Sequence, residues 1–136
     1  MKWIVYMLAF CLSFFLISCD DEVYPTMDRL EDAGILGEWK LDSRVVNNIG
    51  DLSIMCCDYL VFSTSGSPDD LRGNYTARGS GYENSGEFVC TEALDSLTTV
   101  RDNQIRTYGL NIEAERLTFS YIEEGDEIVE YWVKVP

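Results

Sequence analysis

Leu36-Gly37-Glu38-Trp39-Lys40-Leu41-Asp42-Ser43-Arg44-Val45 (residues 36–45) is the stretch on which the fold turns. Trp39, Leu41 and Val45 alternate with Glu38, Lys40, Asp42 and Arg44, a period of two that belongs to a strand with one wet face. The alternation places Trp39, Leu41 and Val45 inward and Arg44 outward. Just upstream, Asp28 and Glu31 have capping-box spacing, so a short helical turn is expected there, with Leu30 and Ile35 packing back on the strand.

Working outward, the same signature recurs at short intervals. Strands are expected over 58–64, where Leu60 and Phe62 share a face, over 71–78 and 83–91 around the turn region "GSGYENSG", and over 97–101. Three more follow over 104–111, 116–122 and 127–135. Leu117, Phe119 and Tyr121 share one face, and Val129, Tyr131, Val133 and Val135 another. Asn47 to Asp51 and Glu123-Glu124-Gly125-Asp126 read as turns, and the latter lacks the alternating oxygen spacing of a calcium loop. Seven or eight short strands with at most one short helix predict an all-β fold: a small antiparallel up-and-down β-barrel, whose closure removes exposed edges.

The N-terminus predicts an address. Lys2 precedes an apolar run from Ile4 to Ile17, broken only by Ser13 and ended by Asp20, Asp21 and Glu22. That run is shorter than the about 20 residues a spanning helix needs and has the shape of a secretory signal. Leu16-Ile17-Ser18-Cys19 resembles the bacterial lipobox, which implies cleavage before Cys19 and acylation of its thiol. Expected boundaries are 1–18 for the signal peptide, 19–33 for the lipidated tether and helical turn, and 34–136 for the barrel. The acids after Cys19 resemble the surface-export signal of Bacteroidetes lipoproteins. Lipid anchorage in the bacterial outer membrane, exposed at the cell surface, is expected, with a periplasm-facing orientation as the alternative.

Without residues 1–18 the chain keeps all 24 acids and nine of its ten bases, a formal charge of −15. Such a surface excludes nucleic acid as a partner and disfavours docking on anionic headgroups. With Cys11 removed and Cys19 acylated, Cys56, Cys57 and Cys90 remain. Adjacent cysteines strain the peptide between them, so an exported chain is expected to bridge Cys90 to Cys56 or to Cys57. Three cysteines without histidine make a poor zinc site, and no metal or cofactor is expected.

Leu36-Gly37-Glu38-Trp39-Lys40-Leu41 resembles the Gly-x-Trp opening of the lipocalin-like domains of small Bacteroidetes lipoproteins. Cys56 or Cys57 before Phe62, Cys90 on a later strand and the tyrosine-bearing segment Glu130 to Val135 fit the same framework, which covers most of residues 34–136. The Thr-Asp-Tyr motif of lipocalins is absent, and no arginine is assigned to lie over the tryptophan. The resemblance implies an up-and-down barrel with Trp39 in the core at its closed base.

No histidine is present, which excludes Ser-His-Asp and Cys-His chemistry. "GSGYENSG" lies between strands and lacks the lysine of a phosphate loop. Asp95-Ser96-Leu97 is similar to a Bacteroidetes O-glycosylation motif. The expectation is a protein without catalytic activity, anchored to the membrane by lipid. Its barrel is expected to take a small apolar or sugar-like ligand against Phe62, Tyr75, Phe88, Tyr108, Phe119 and Tyr131. The alternative is a barrel filled by those aromatics, serving as a structural or interaction module for an envelope protein partner.

Overall fold

The computed structural model describes residues 28–50, 58–67 and 69–136. The apolar leader, Cys19 and the Cys56/Cys57 pair lie outside them. A single helical turn, α1 (Arg29–Asp32), precedes nine strands: β1 (Gly37–Val46), β2 (Ile49–Gly50), β3 (Tyr59–Thr64), β4 (Arg72–Gly79) and β5 (Tyr82–Cys90), then β6 (Ser96–Arg101), β7 (Gln104–Glu113), β8 (Arg116–Glu123) and β9 (Asp126–Lys134). Every neighbour pair is antiparallel, and β1 also pairs with β9. β1 and β3 to β9 therefore close an eight-stranded up-and-down barrel, with β2 folded back onto the end of β1. Fold class and strand order agree with the sequence reading.

Two-residue turns make the meander. Asn47-Asn48, Asp102-Asn103 and Glu124-Gly125 all have positive φ, which matches the twist of the flanking strands. In the "GSGYENSG" region Ser80-Gly81 turns the chain, between strands that match those expected over 71–78 and 83–91 to within one residue at each end. At Gly73 the wall leaves no room for a side chain, because a Cβ would sit 2.1 Å from the Ser63 carbonyl oxygen and 2.7 Å from the Phe88 ring.

One end of the barrel is plugged. Asp28 caps α1 by accepting the Leu30 N–H at 2.9 Å, and its other carboxylate oxygen accepts the Thr64 hydroxyl at 2.5 Å, tying the turn to the end of β3. Leu30 and Ile35 are fully buried over Trp39, whose indole N–H donates to the Ile35 carbonyl at 2.8 Å. Trp39 is thus in the core at the closed base. Lys134 lies over its ring at 5.2 Å and donates to the Gly34 carbonyl at 3.0 Å, so a lysine covers the indole. Gly37, two residues before the tryptophan, has φ +116, which L side chains rarely adopt, and a Cβ there would press on the Lys134 stem at 3.3 Å. Both constraints explain the Gly-x-Trp spacing.

β1 departs from strict alternation. Its register against β9 shifts between Leu41 and Ser43, leaving Asp42 as a bulge. Leu41 pairs with Trp132, but beyond the bulge Arg44 pairs with Glu130 and Val45 with Val129. Arg44 therefore turns inward and Val45 outward, the reverse of the sequence expectation, because one extra residue exchanges the two faces.

The Cys90 thiol is free among the described residues and buried against the core at the base, and burial pushes its pKa up to about 11. The partners expected to bridge it, Cys56 and Cys57, lie outside the described residues. Asp58, the first residue described after them, is at the opposite end of the barrel, since β3 runs from Tyr59 there down to Thr64 beside α1.

Candidate functional site: the barrel cavity

Above the plug the barrel is hollow. A cavity of about 350 Å³ opens at the end opposite α1, within the range of small-ligand sites. Its chemistry is graded along the axis by strand alternation. Toward the base the walls are Leu60, Phe62, Leu97, Phe119 and Trp132; toward the mouth they are Arg44, Asp58, Tyr82, Arg101, Arg106 and Glu130. Phe62 meets Phe88 edge-on at 5.0 Å, and Tyr108 meets Phe119 at 5.5 Å and Tyr121 at 5.2 Å, so the aromatic rings brace one another.

One carboxylate organises the wall. Glu130 is 8% exposed and is the buried charged residue among those described. Its Oε1 accepts from Nε and an Nη of Arg44, at 3.2 and 2.8 Å, and from the Tyr121 hydroxyl at 2.9 Å; Oε2 accepts the Trp132 indole N–H at 3.3 Å. The fork of the guanidinium and two further donors compensate the charge for its lost water. Burial, and next the neighbouring Glu130 charge, push the Tyr121 phenol well above its ordinary range. Nearer the rim, Tyr82 donates to Asp58 at 3.0 Å, and burial again raises its pKa.

The wall is not continuous at the mouth. β7 and β8 pair from Gly109↔Ser120 down to Glu113↔Arg116, and above that the two strands part. A second depression lies there, between Arg106, Thr107, Tyr108, Tyr121 and Ile122. Side chains span the gap: Arg106 pairs with Glu123 at 2.8 Å, and Tyr108 packs edge-on against Tyr121. Ile105 and Ile122 stand exposed on its outer side.

Of the six aromatic residues expected to line the cavity, Phe62, Tyr75, Tyr108 and Phe119 do so. Phe88 is buried in the core and backs Phe62 from below. Tyr131 does not line the cavity, because β9 turns Ile128, Glu130 and Trp132 inward and leaves Val129, Tyr131 and Val133 on the outer face. Both faces of that strand are apolar in sequence, so hydrophobicity alone gives no parity. Sequence reasoning missed Arg44, Arg101, Arg106, Tyr121, Glu130 and Trp132. Tyr121 was already legible, as it shares the face of Leu117 and Phe119.

No group of three or more metal-ligating side chains converges among the described residues. Compared with protein-family models and with curated proteins, the chain matches none.

Proposed function

We propose that this chain is an envelope-anchored lipoprotein, held in the outer membrane through Cys19, whose lipocalin-like barrel binds a small ligand in its cavity without turnover. The observation that carries the reading is the open cavity itself, with aromatic rings below and fixed polar groups above. A barrel filled by its own side chains, the basis of a purely structural role, would leave no such space. Surface exposure and membrane attachment rest on the lipobox-like quartet and the acids that follow it.

Two measurements test this. Fatty-acid labelling of the protein in its host is expected to be lost in Cys19→Ala, and label retained in that variant would overturn the anchor. For ligand binding, native mass spectrometry of protein purified gently from its own membrane should show an added mass that disappears on unfolding. The same compound should raise the melting temperature, as a hundredfold excess over Kd stabilises by about 2.7 kcal/mol. Homogeneous ligand-free protein, with no shift from apolar compounds or saccharides, would overturn the binding reading in favour of an envelope protein partner.

A further inference from the structure

The ligand can be given a chemical class, an inference that rests on the binding reading above. The chain as a whole carries 24 acids against ten bases, yet the cavity lining holds three arginines, Arg44, Arg101 and Arg106, against two carboxylates, Asp58 and Glu130. Glu123 at the rim pairs with Arg106 at 2.8 Å, so cavity and rim together hold three charges of each sign inside a strongly negative molecule. The carboxylates are already engaged, Glu130 by Arg44, Tyr121 and Trp132, and Asp58 by Tyr82. Arg44 is therefore part of the wall.

Arg101 is different. It ends β6 half-buried at the mouth, lines the cavity, and has neither ion pair nor hydrogen bond from its side chain to any described residue. Arg106 stands on the adjacent strand and the same face: Arg101 pairs with Gln104, two residues from Arg106, and Thr99 faces Arg106 directly. Such a diagonal, about 7–8 Å between strands, lies within reach of two long side chains. Arg106 gives one Nη to Glu123, and a guanidinium carries five N–H donors in all. Both arginines thus stand on one face at the mouth, Arg101 half-buried and Arg106 with its side chain 59% exposed, and an oxyanion there would meet charge-assisted donors. Below that point the walls turn apolar at Leu97, Tyr108 and Phe119.

We infer that the cavity takes a small amphipathic monoanion, a carboxylate with an apolar body, its head between Arg101 and Arg106 and its body directed toward Phe62 and Phe119. A single negative charge is the complement of Arg101, the lining arginine without an ion pair to a described residue. At about 30 Å³ per water, the cavity holds the volume of about a dozen waters, which limits the body to a short chain or one ring system.

Titration calorimetry of the mature chain with octanoate, 1-octanol and octylammonium at pH 7.5 tests the inference. Octanoate should bind at least tenfold more tightly than 1-octanol, and octylammonium least of all. In Arg101→Gln the octanoate affinity should fall about tenfold while that for 1-octanol stays within twofold; Arg101→Lys should keep the anion preference. Unchanged thermal unfolding of both variants, without ligand, would show that neither disturbs the barrel. Octanol binding as tightly as octanoate would overturn the anion assignment and leave the cavity as an apolar site. An equal loss for both ligands in Arg101→Gln would also overturn it. Binding of none of the three would count against both readings.

Discussion

At the scale of single residues, the chain makes one costly commitment, a carboxylate inside the barrel. Glu130 is tolerated because Arg44, Tyr121 and Trp132 replace its hydration, so removing one donor should cost more than removing the charge with it. Arg44→Met is expected to destabilise by about 2 kcal/mol, a figure reduced from that of a fully buried pair because the Arg44 side chain is 32% exposed. Adding Glu130→Gln to that variant should restore part of the loss. A double-mutant cycle by urea unfolding measures the coupling, and strict additivity would refute it. Tyr121 gives a second test. Its pKa is raised in the fold above the ordinary 10.0, so from about pH 10 upward the unfolded chain releases a proton that the folded chain retains. Stability should therefore fall as pH rises past 10, and Tyr121→Phe should flatten that fall. The sequence could not show this network. A charged residue at a strand position reads as outward by default, and only the partner strand reveals that Glu130 and Arg44 meet.

Single strands were legible wherever one face is polar, as in β8, where Leu117, Phe119 and Tyr121 declare their side. Legibility failed where alternation is broken or doubled. β9 carries apolar residues on both faces, so Tyr131 was assigned inward when Glu130 and Trp132 are. In β1, Asp42 is an extra residue that strict period-two reading cannot detect, and it brings Arg44 into the cavity. Turns are legible at Glu124-Gly125 and within "GSGYENSG", where the chain turns at Ser80-Gly81, while glycines inside β4 and β5, Gly73 and Gly86, make room for facing rings. The bulge predicts an asymmetry between deletions. Removing Asp42 leaves Leu41 inward, Ser43 outward and Arg44 inward, so the variant should fold with a loss of about 2 kcal/mol or less. Removing Lys40 shifts Trp39 against its plug and exchanges the faces of everything before it, and that variant should not fold. Circular dichroism melts of the two proteins decide the matter; equal damage from both deletions would contradict the assigned register.

For the whole molecule, the direction of the chain constrains how the barrel would stand on a membrane under the proposed anchoring at Cys19. Asp28, the first residue described, lies at the plugged base beside Thr64, whereas the Asp102-Asn103 turn, between Arg101 and Gln104, stands at the mouth. On the proposed anchoring at Cys19, eight residues of chain separate the acylated cysteine from Asp28 and can reach no more than about 30 Å. The ten residues of β1 at about 3.3 Å each make the barrel comparable in height. That anchoring would hold the base near the bilayer and carry the mouth up to one barrel height further out. After the proposed processing, the formal charge of −15 would add repulsion from anionic headgroups and lift the body without detaching it. A fluorophore attached through an encoded azide at Ala93, on the basal turn next to Glu92, should be quenched by nitroxide-bearing lipid headgroups more strongly than the same fluorophore at Asn103. The difference should shrink when residues 20–27 are lengthened with a Gly-Ser insert, since the reach of such a linker grows and the orientation relaxes. Equal quenching at the two positions with the natural tether, or stronger quenching at Asn103, would mean that the mouth faces the membrane and that a ligand passes to it from the lipid side.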